Sequence, residues 1–125
     1  MNSGKKVIIV DDEQDILNTL LRYFNRKNKF EVDVFTNPVN ALEAIKNNDY
    51  DLVLTDIMMP EMNGVDLLKK IKEVKPDVPV VMMTAYSTID KILECDKLGA
   101  SDYVTKPFIS LKDIESKVLD FLGII

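Results

Sequence analysis

Val7-Ile8-Ile9-Val10-Asp11-Asp12 is the stretch that decides the fold: an unbroken apolar run that ends directly on two carboxylates. Three further stretches repeat the arrangement. Leu52-Val53-Leu54-Thr55 leads into Asp56, Val80-Val81-Met82-Met83 into Thr84, and Asp102-Tyr103-Val104-Thr105 into Lys106-Pro107. The run at residues 80–84 is apolar almost throughout, the pattern of a strand covered on both faces. If the runs are parallel strands, their polar ends emerge at one edge of one sheet. Three carboxylates, a hydroxyl and an ammonium then meet in one pocket.

The segments between the runs carry helix signals. A stripe of Ile16, Leu17, Leu20, Leu21 and Phe24 predicts helix 1 over about residues 13–26. Strand 1 is about 6–10. Strand 2, about 31–35, alternates Val32 and Val34 with Glu31 and Asp33, as a half-exposed edge strand does. Asn37-Pro38 reads as N-cap and first residue of helix 2, with Ala41, Leu42 and Ile45 on its stripe and an end near Asn47-Asn48. Strand 3 is 52–55. A loop with Pro60 and Gly64 precedes helix 3, which carries Leu67, Leu68, Ile71 and Val74. Pro76 and Pro79 punctuate the turn into strand 4, 80–84. Ser87-x-x-Asp90 reads as a capping box for helix 4, with Ile89, Ile92 and Leu93 on its stripe and Gly99 as its C′ residue. Strand 5 is about 102–105. Ser110-x-x-Asp113 caps helix 5, whose stripe is Leu111, Ile114, Val118, Phe121 and Leu122.

This (βα)5 alternation with short connections predicts an α/β, doubly wound parallel sheet with helices on both faces. In the flavodoxin-like order 2-1-3-4-5, the topological switch point lies between strands 1 and 3, and ligands bind there, beyond the carboxyl ends of the strands. Asp11-Asp12 and Asp56 fall at those two ends.

Composition narrows the class. A chain of 125 residues fits one domain, 1–125. The net charge of -5 disfavours nonspecific nucleic-acid binding. One cysteine rules out an internal disulfide and fits a reducing compartment. No apolar run approaches the ~20 residues of a membrane span, and the run at Val7 is too short for a signal sequence. A cytoplasmic location without membrane contact is the expectation. With no histidine and one cysteine, zinc sites and histidine-based catalysis are all but excluded.

Each site residue has a bland reading beside the chemical one. Asp11, Asp12 and Asp56 brought close repel one another, and a cation such as magnesium, which prefers oxygen ligands, relieves that repulsion. Asp12 as a cap of helix 1 explains one aspartate but not all three. Asp56 can attack a phosphoryl group to give an acyl phosphate, or simply close a strand. Thr84 can bond a phosphoryl oxygen, which one hydroxyl does not establish. Lys106 can neutralise phosphoryl charge or be a surface lysine. Pro107, if cis, fixes the turn that aims it.

Taken together, Ile9-Val10-Asp11-Asp12-Glu13, Leu54-Thr55-Asp56-Ile57-Met58-Met59-Pro60 with Asn63-Gly64, Met83-Thr84-Ala85, and Gly99 through Phe108 carry a family resemblance. The chain resembles the receiver domain of bacterial two-component response regulators over about residues 5–122. The resemblance implies that Asp56 accepts a phosphoryl group from a phosphohistidine on a sensor histidine kinase or phosphotransfer protein. It implies Mg2+ (or Mn2+) held by Asp12, Asp56 and the Met58 backbone carbonyl, with Asp11 acting mainly through water. Thr84, with Ala85 beside it, and Lys106 would bind the phosphoryl group. Tyr103 would rotate inward once Thr84 moves, altering the surface of helix 4, strand 5 and helix 5. Tyr103 also reads as a half-buried aromatic on an edge strand. Met58 and Tyr86 flank the path of hydrolytic water in this family, and both are bulky, which implies slow loss of the phosphoryl group. Methionine is equally a common gap-filler.

Cys95 reads as a buried small hydrophobe on helix 4. Asp96 falls where an apolar residue would extend the Ile89 stripe and reads as the solvated start of the last turn. The lysine-rich segments at 26–29 and 69–72 read as solvated faces, since no aromatic platform accompanies them.

Other classes share parts of the pattern. An electron carrier of the flavodoxin kind would need a hydroxyl- and glycine-rich loop after strand 1, where Asp-Asp-Glu stands instead. An aspartyl phosphatase usually has a second aspartate two residues after the first, where Met58 stands. An unphosphorylated interaction module would not need the full set of Asp11, Asp12, Asp56, Thr84 and Lys106. A homodimer through helix 4, strand 5 and helix 5 is compatible with the sequence, but no charge pattern selects it. A stand-alone receiver and a piece of a longer regulator both fit, and apolar Gly123-Ile124-Ile125 leans toward a truncated or docked terminus.

Overall fold

The computed structural model describes residues 2–85, 89–108 and 110–124. Tyr86, the Ser87 cap and Ile125 lie outside the described residues. Five strands, β1 (Lys6–Val10), β2 (Glu31–Phe35), β3 (Leu52–Asp56), β4 (Val80–Thr84) and β5 (Asp102–Thr105), alternate with five helices. The helices are α1 (Gln14–Lys27), α2 (Pro38–Asn47), α3 (Gly64–Val74), α4 (Ile89–Lys97) and α5 (Leu111–Leu122). All strand pairs are parallel, and the sheet order is β2-β1-β3-β4-β5, as the alternation predicts.

The apolar runs are continuous because the core is two-sided. Ile8, Val10, Val53, Val80 and Met82 face Ala41, Leu42 and Ile45 of α2, Leu67, Leu68 and Ile71 of α3, and Cys95 of α4. Val7, Ile9, Leu52, Leu54, Val81 and Met83 face Leu17, Leu20 and Phe24 of α1 and Ile114, Val118 and Leu122 of α5. Successive strand residues point to opposite faces, so two helical layers need apolar residues at every position. β2 is the exception expected of an edge: Glu31 and Asp33 are exposed while Val32 and Val34 are half-buried.

The helix ends follow local chemistry. Asn37 Oδ1 accepts from the Val39 and Asn40 N–H groups at 2.8 and 3.3 Å, capping α2 with Pro38 at its first turn. Ser110 Oγ accepts from the Asp113 N–H at 3.3 Å, capping α5. Gly99 takes the left-handed backbone (φ 95°) expected after α4, a conformation that carries no penalty without a Cβ. One end differs from expectation, and one alternative reading fails. Gly64 opens α3 instead of lying in the preceding loop, with Asn63 as the cap accepting from the Asp66 N–H at 2.9 Å. Asp12 does not cap α1: Asp11 Oδ1 accepts the Glu13 N–H at 2.9 Å, and Asp12 is exposed.

α4 is the least anchored helix. Its one buried residue is Cys95, which is the small hydrophobe the sequence suggests. Ile89 and Leu93, which read as part of a core stripe, are 75% and 51% exposed. The helix does have an apolar face, but Cys95 is the one residue of it that is buried.

The two-sided core predicts a sharp contrast between positions. Leu54→Ala should cost about 2–5 kcal/mol, because a fully buried leucine leaves a cavity between β3 and α1 or α5. Val39→Ala, at a half-exposed position on α2, should stay within about 0.5 kcal/mol of the parent. Urea unfolding at matched pH measures both.

Candidate functional site

The carboxyl ends of β1 and β3 are level with one another. Val10 pairs Thr55, so the next residues, Asp11 and Asp56, leave the sheet side by side. Asp11 is fully buried and Asp56 is 6% exposed. Such groups stay in water unless something compensates them. Lys106 compensates them. Its Nζ lies 2.5 Å from Asp11 Oδ2, 3.3 Å from Asp56 Oδ2 and 3.7 Å from Glu13 Oε1, with its own side chain only 6% exposed. The Lys106–Pro107 peptide bond is cis.

Backbone geometry holds Asp56 in place. The Met58 N–H bonds its carboxylate, and the Thr55 hydroxyl donates to its carbonyl at 3.2 Å. The Gly64 N–H donates to the Ile57 carbonyl at 2.6 Å, drawing the start of α3 against the end of β3. A Cβ on Gly64 would sit 2.1 Å from the Asp56 carbonyl oxygen, so this approach admits only glycine.

Burial raises the Asp56 pKa above the ordinary carboxylate value, and the Asp11 charge adds to it, against the lowering effect of Lys106. Asp11 is raised for the same first reason, against the Lys106 and Glu13 hydrogen bonds. Burial alone would lower Lys106, but the hydrogen bond to Asp11 and the charges of Asp11 and Asp56 outweigh it and raise it. One ammonium thus serves an excess of acid. Asp11, Asp12, Glu13 and Asp56 each offer a carboxylate oxygen, all within 4.8 Å of one another. Clustered hard oxygen donors whose repulsion one ammonium only partly relieves could hold a magnesium-type cation.

The other expected residues surround this cluster. Thr84 is buried at the end of β4, and its carbonyl accepts the Lys106 N–H at 2.8 Å. Ala85 follows it and is exposed. Met58 is 53% exposed just beyond Asp56. A groove of about 400 Å³ adjoins Lys106, lined by Ile16, Thr19, Pro107, Phe108 and Leu111. Tyr103 is half-buried on β5, and its hydroxyl turns to α4, donating to the Ile92 carbonyl at 3.1 Å and to the Asp96 carboxylate. Two members were missed in the sequence. Glu13 joins the cluster, and the signal was the third acid of Asp-Asp-Glu. Asp96 is a hydrogen-bond partner rather than a merely solvated acid, and the signal was the polar break in the helix 4 stripe.

Comparison with known proteins agrees with this geometry. Residues 7–119 match the family model described as the response regulator receiver domain, and the chain belongs to that family. The receiver domain is a regulatory module. The transcriptional regulatory protein ZraR of Klebsiella oxytoca is 42% identical over 106 residues, covering 84% of this chain and 24% of that protein. The response regulator SaeR of Staphylococcus aureus is 40% identical over 102 residues, 82% of this chain and 44% of that one. The chain therefore spans less than half the length of these relatives. A CheY-like receiver domain protein from Methanospirillum hungatei superimposes with a TM-score of 0.91 at 29% identity, covering 97% of this chain and 95% of that structure.

The electrostatics give a prediction for the cation-free protein. Asp56 has a folded pKa above its unfolded one, so the folded state binds the extra proton and stability falls as pH rises through that window. At neutral pH the ionised group is a net cost. Asp56→Asn should therefore raise the melting temperature by roughly 3–6 °C in EDTA, the shift about 1 kcal/mol produces in such a domain, and the gap should close at acid pH. Millimolar magnesium should stabilise the parent and leave Asp56→Asn nearly unmoved, by mass action on the folded state. Calorimetric scans across pH, with and without the cation, test both arms.

Proposed function

We propose that this chain is a phosphoryl-accepting signalling switch of a two-component system, with Asp56 as the acceptor. The observation that carries this reading is the convergence of Lys106 on Asp56 and Asp11 inside a four-carboxylate cluster at the switch point of the sheet. A carboxylate oxygen of Asp56 attacks phosphorus of a phosphohistidine, the P–N bond breaks, and the imidazole leaves with that electron pair. The donor is a sensor histidine kinase or phosphotransfer protein.

Asp12, Asp56 and the Met58 backbone carbonyl would hold Mg2+ or Mn2+, with Asp11 acting through water. When bound, the cation supplies charge neutralisation for the transferring oxygens. Lys106 supplies the rest from the protein, already within ion-pair distance of the acceptor. Thr84, with Ala85 beside it, bonds a phosphoryl oxygen after transfer. That draws the end of β4 toward the site and lets Tyr103 turn inward. The phosphoryl group thereby favours one of two arrangements of the α4–β5–α5 surface. A downstream domain, a partner or a second copy of the chain reads that surface. The exposed Ile89 and Leu93 on α4 and Phe121 on α5 support a protein contact there.

The chain assists only its own phosphorylation and dephosphorylation, and acts on no external substrate. The net charge supports no direct nucleic-acid contact by this domain. A cytoplasmic site of action fits its single buried cysteine. Among the described residues, no helix is long and apolar enough to cross a membrane.

Intact mass after incubation with acetyl phosphate tests the acceptor. The parent should gain about 80 Da, one phosphoryl group, only with magnesium, and Asp56→Asn should gain nothing. An unmodified parent that also fails to bind magnesium would leave a constitutive interaction module as the better reading.

Met58 is exposed just beyond the acceptor, where its bulk would screen an acyl phosphate from water. Met58→Asn, alone or with Tyr86→Ala, should speed loss of the phosphoryl group severalfold, read as decay of the modified mass. An unchanged decay rate would remove both residues from any role in lifetime.

A further inference from the structure

Tyr103 and Asp96 form a contact that the phosphoryl chemistry does not use. Tyr103 sits on β5 opposite Met82 of β4. Its ring packs against the core layer of α2, α3 and α4, and its hydroxyl is offered wholly to α4. The two acceptors, the Ile92 carbonyl and the Asp96 carboxylate, stand one helical turn apart, so they occupy one face of α4. A phenol has one proton, and the two acceptors share it. The charged acceptor makes the stronger bond.

This contact matters because α4 buries so little of its own side-chain surface. Cys95, adjacent to Asp96, is its one buried residue, and Ile89 and Leu93 face solvent. An apolar residue at position 96 would continue the apolar stripe of the helix. An aspartate there instead gives the tyrosine hydroxyl a charged acceptor in the position it occupies against α4.

We propose that Asp96 is a latch that holds Tyr103 against α4 and so stabilises the resting arrangement of the chain. The inference rests on the phosphoacceptor reading above and adds its regulation: modification of Asp56 must overcome this contact before the α4–β5–α5 surface changes. A contact present in only one of two arrangements biases their populations by its own strength. Removing it raises the share of the activated arrangement, which is the one that accepts the phosphoryl group, so the rate of modification rises with that population.

The test uses the full chain with acetyl phosphate and magnesium, following the initial rate of mass gain. Asp96→Ala and Tyr103→Phe should each accelerate modification about fivefold, the effect of one hydrogen bond between partly exposed groups. The double variant should be no faster than either single one, because both remove the same contact. Asp96→Asn keeps a neutral acceptor and should fall between Asp96→Ala and the parent. In the unmodified chain, amide exchange along residues 89–97 should quicken alike in Asp96→Ala and Tyr103→Phe.

Equal modification rates in parent and variants would overturn the latch alone, as would single effects that multiply in the double variant. Unchanged exchange in α4 would do the same. No mass gain in any chain, the parent included, would overturn the acceptor reading and the latch with it.

Discussion

Lys106 leaves the end of β5 and reaches across the end of β4 to the carboxylates of β3 and β1. Adjacent strands are about 4.8 Å apart, so β5 and β1 are separated by roughly three such steps, and the lysine and aspartate side chains close that distance from both sides. The reach constrains the rest of the site. It fixes where β5 must end, which way the turn at Pro107 must go, and how close β1 and β3 must bring their aspartates. The ammonium also makes the burial of Asp11 tolerable, since a buried carboxylate without a partner would cost several kcal/mol. Yet Lys106 is outnumbered. The site is thus a place where the fold accepts unfavourable electrostatics in return for a chemical capability, a common arrangement where function and stability compete.

The strands were legible in the sequence because a parallel sheet between two helical layers imposes an unusual requirement: apolar residues at every position. Val7 to Val10 and Val80 to Met83 meet it with no ambiguity, and strand ends then follow from the first polar residue. The site was legible for the same reason, since the polar residues directly after each run had to share an edge. The division of labour between Asp11 and Asp12 was not legible. Adjacent residues leave a strand in opposite directions, and only the packed structure shows that Asp11 turns inward to Lys106 while Asp12 faces solvent.

Helix faces were less readable. Periodicity shows that α4 has an apolar side, but no pattern states whether a neighbour covers it, and here Ile89 and Leu93 are left uncovered. Glu115 is the converse case. It is an acid on α5 that is buried, with the Tyr23 hydroxyl 3.3 Å from one oxygen and the Lys29 ammonium 3.6 Å from the other. Both partners are more than 80 residues away in the chain, so no local signal marks the position. Gly64 could be seen as a break in the sequence, but its need arises from a backbone approach between β3 and α3 that exists only after folding.

The pairing of β1 with β3 carries a consequence of its own. Asp11 and Asp56 are level because Val7, Ile8, Ile9 and Val10 stand opposite Leu52, Val53, Leu54 and Thr55. A slip of one residue would separate the carboxylates by about 3.3 Å along the strand and turn one of them to the opposite face. The apolar ladder therefore works as a ruler for the charged edge. Substitutions far down these strands, remote from any carboxylate, would change how accurately the acidic cluster is aligned even where the protein remains fully folded.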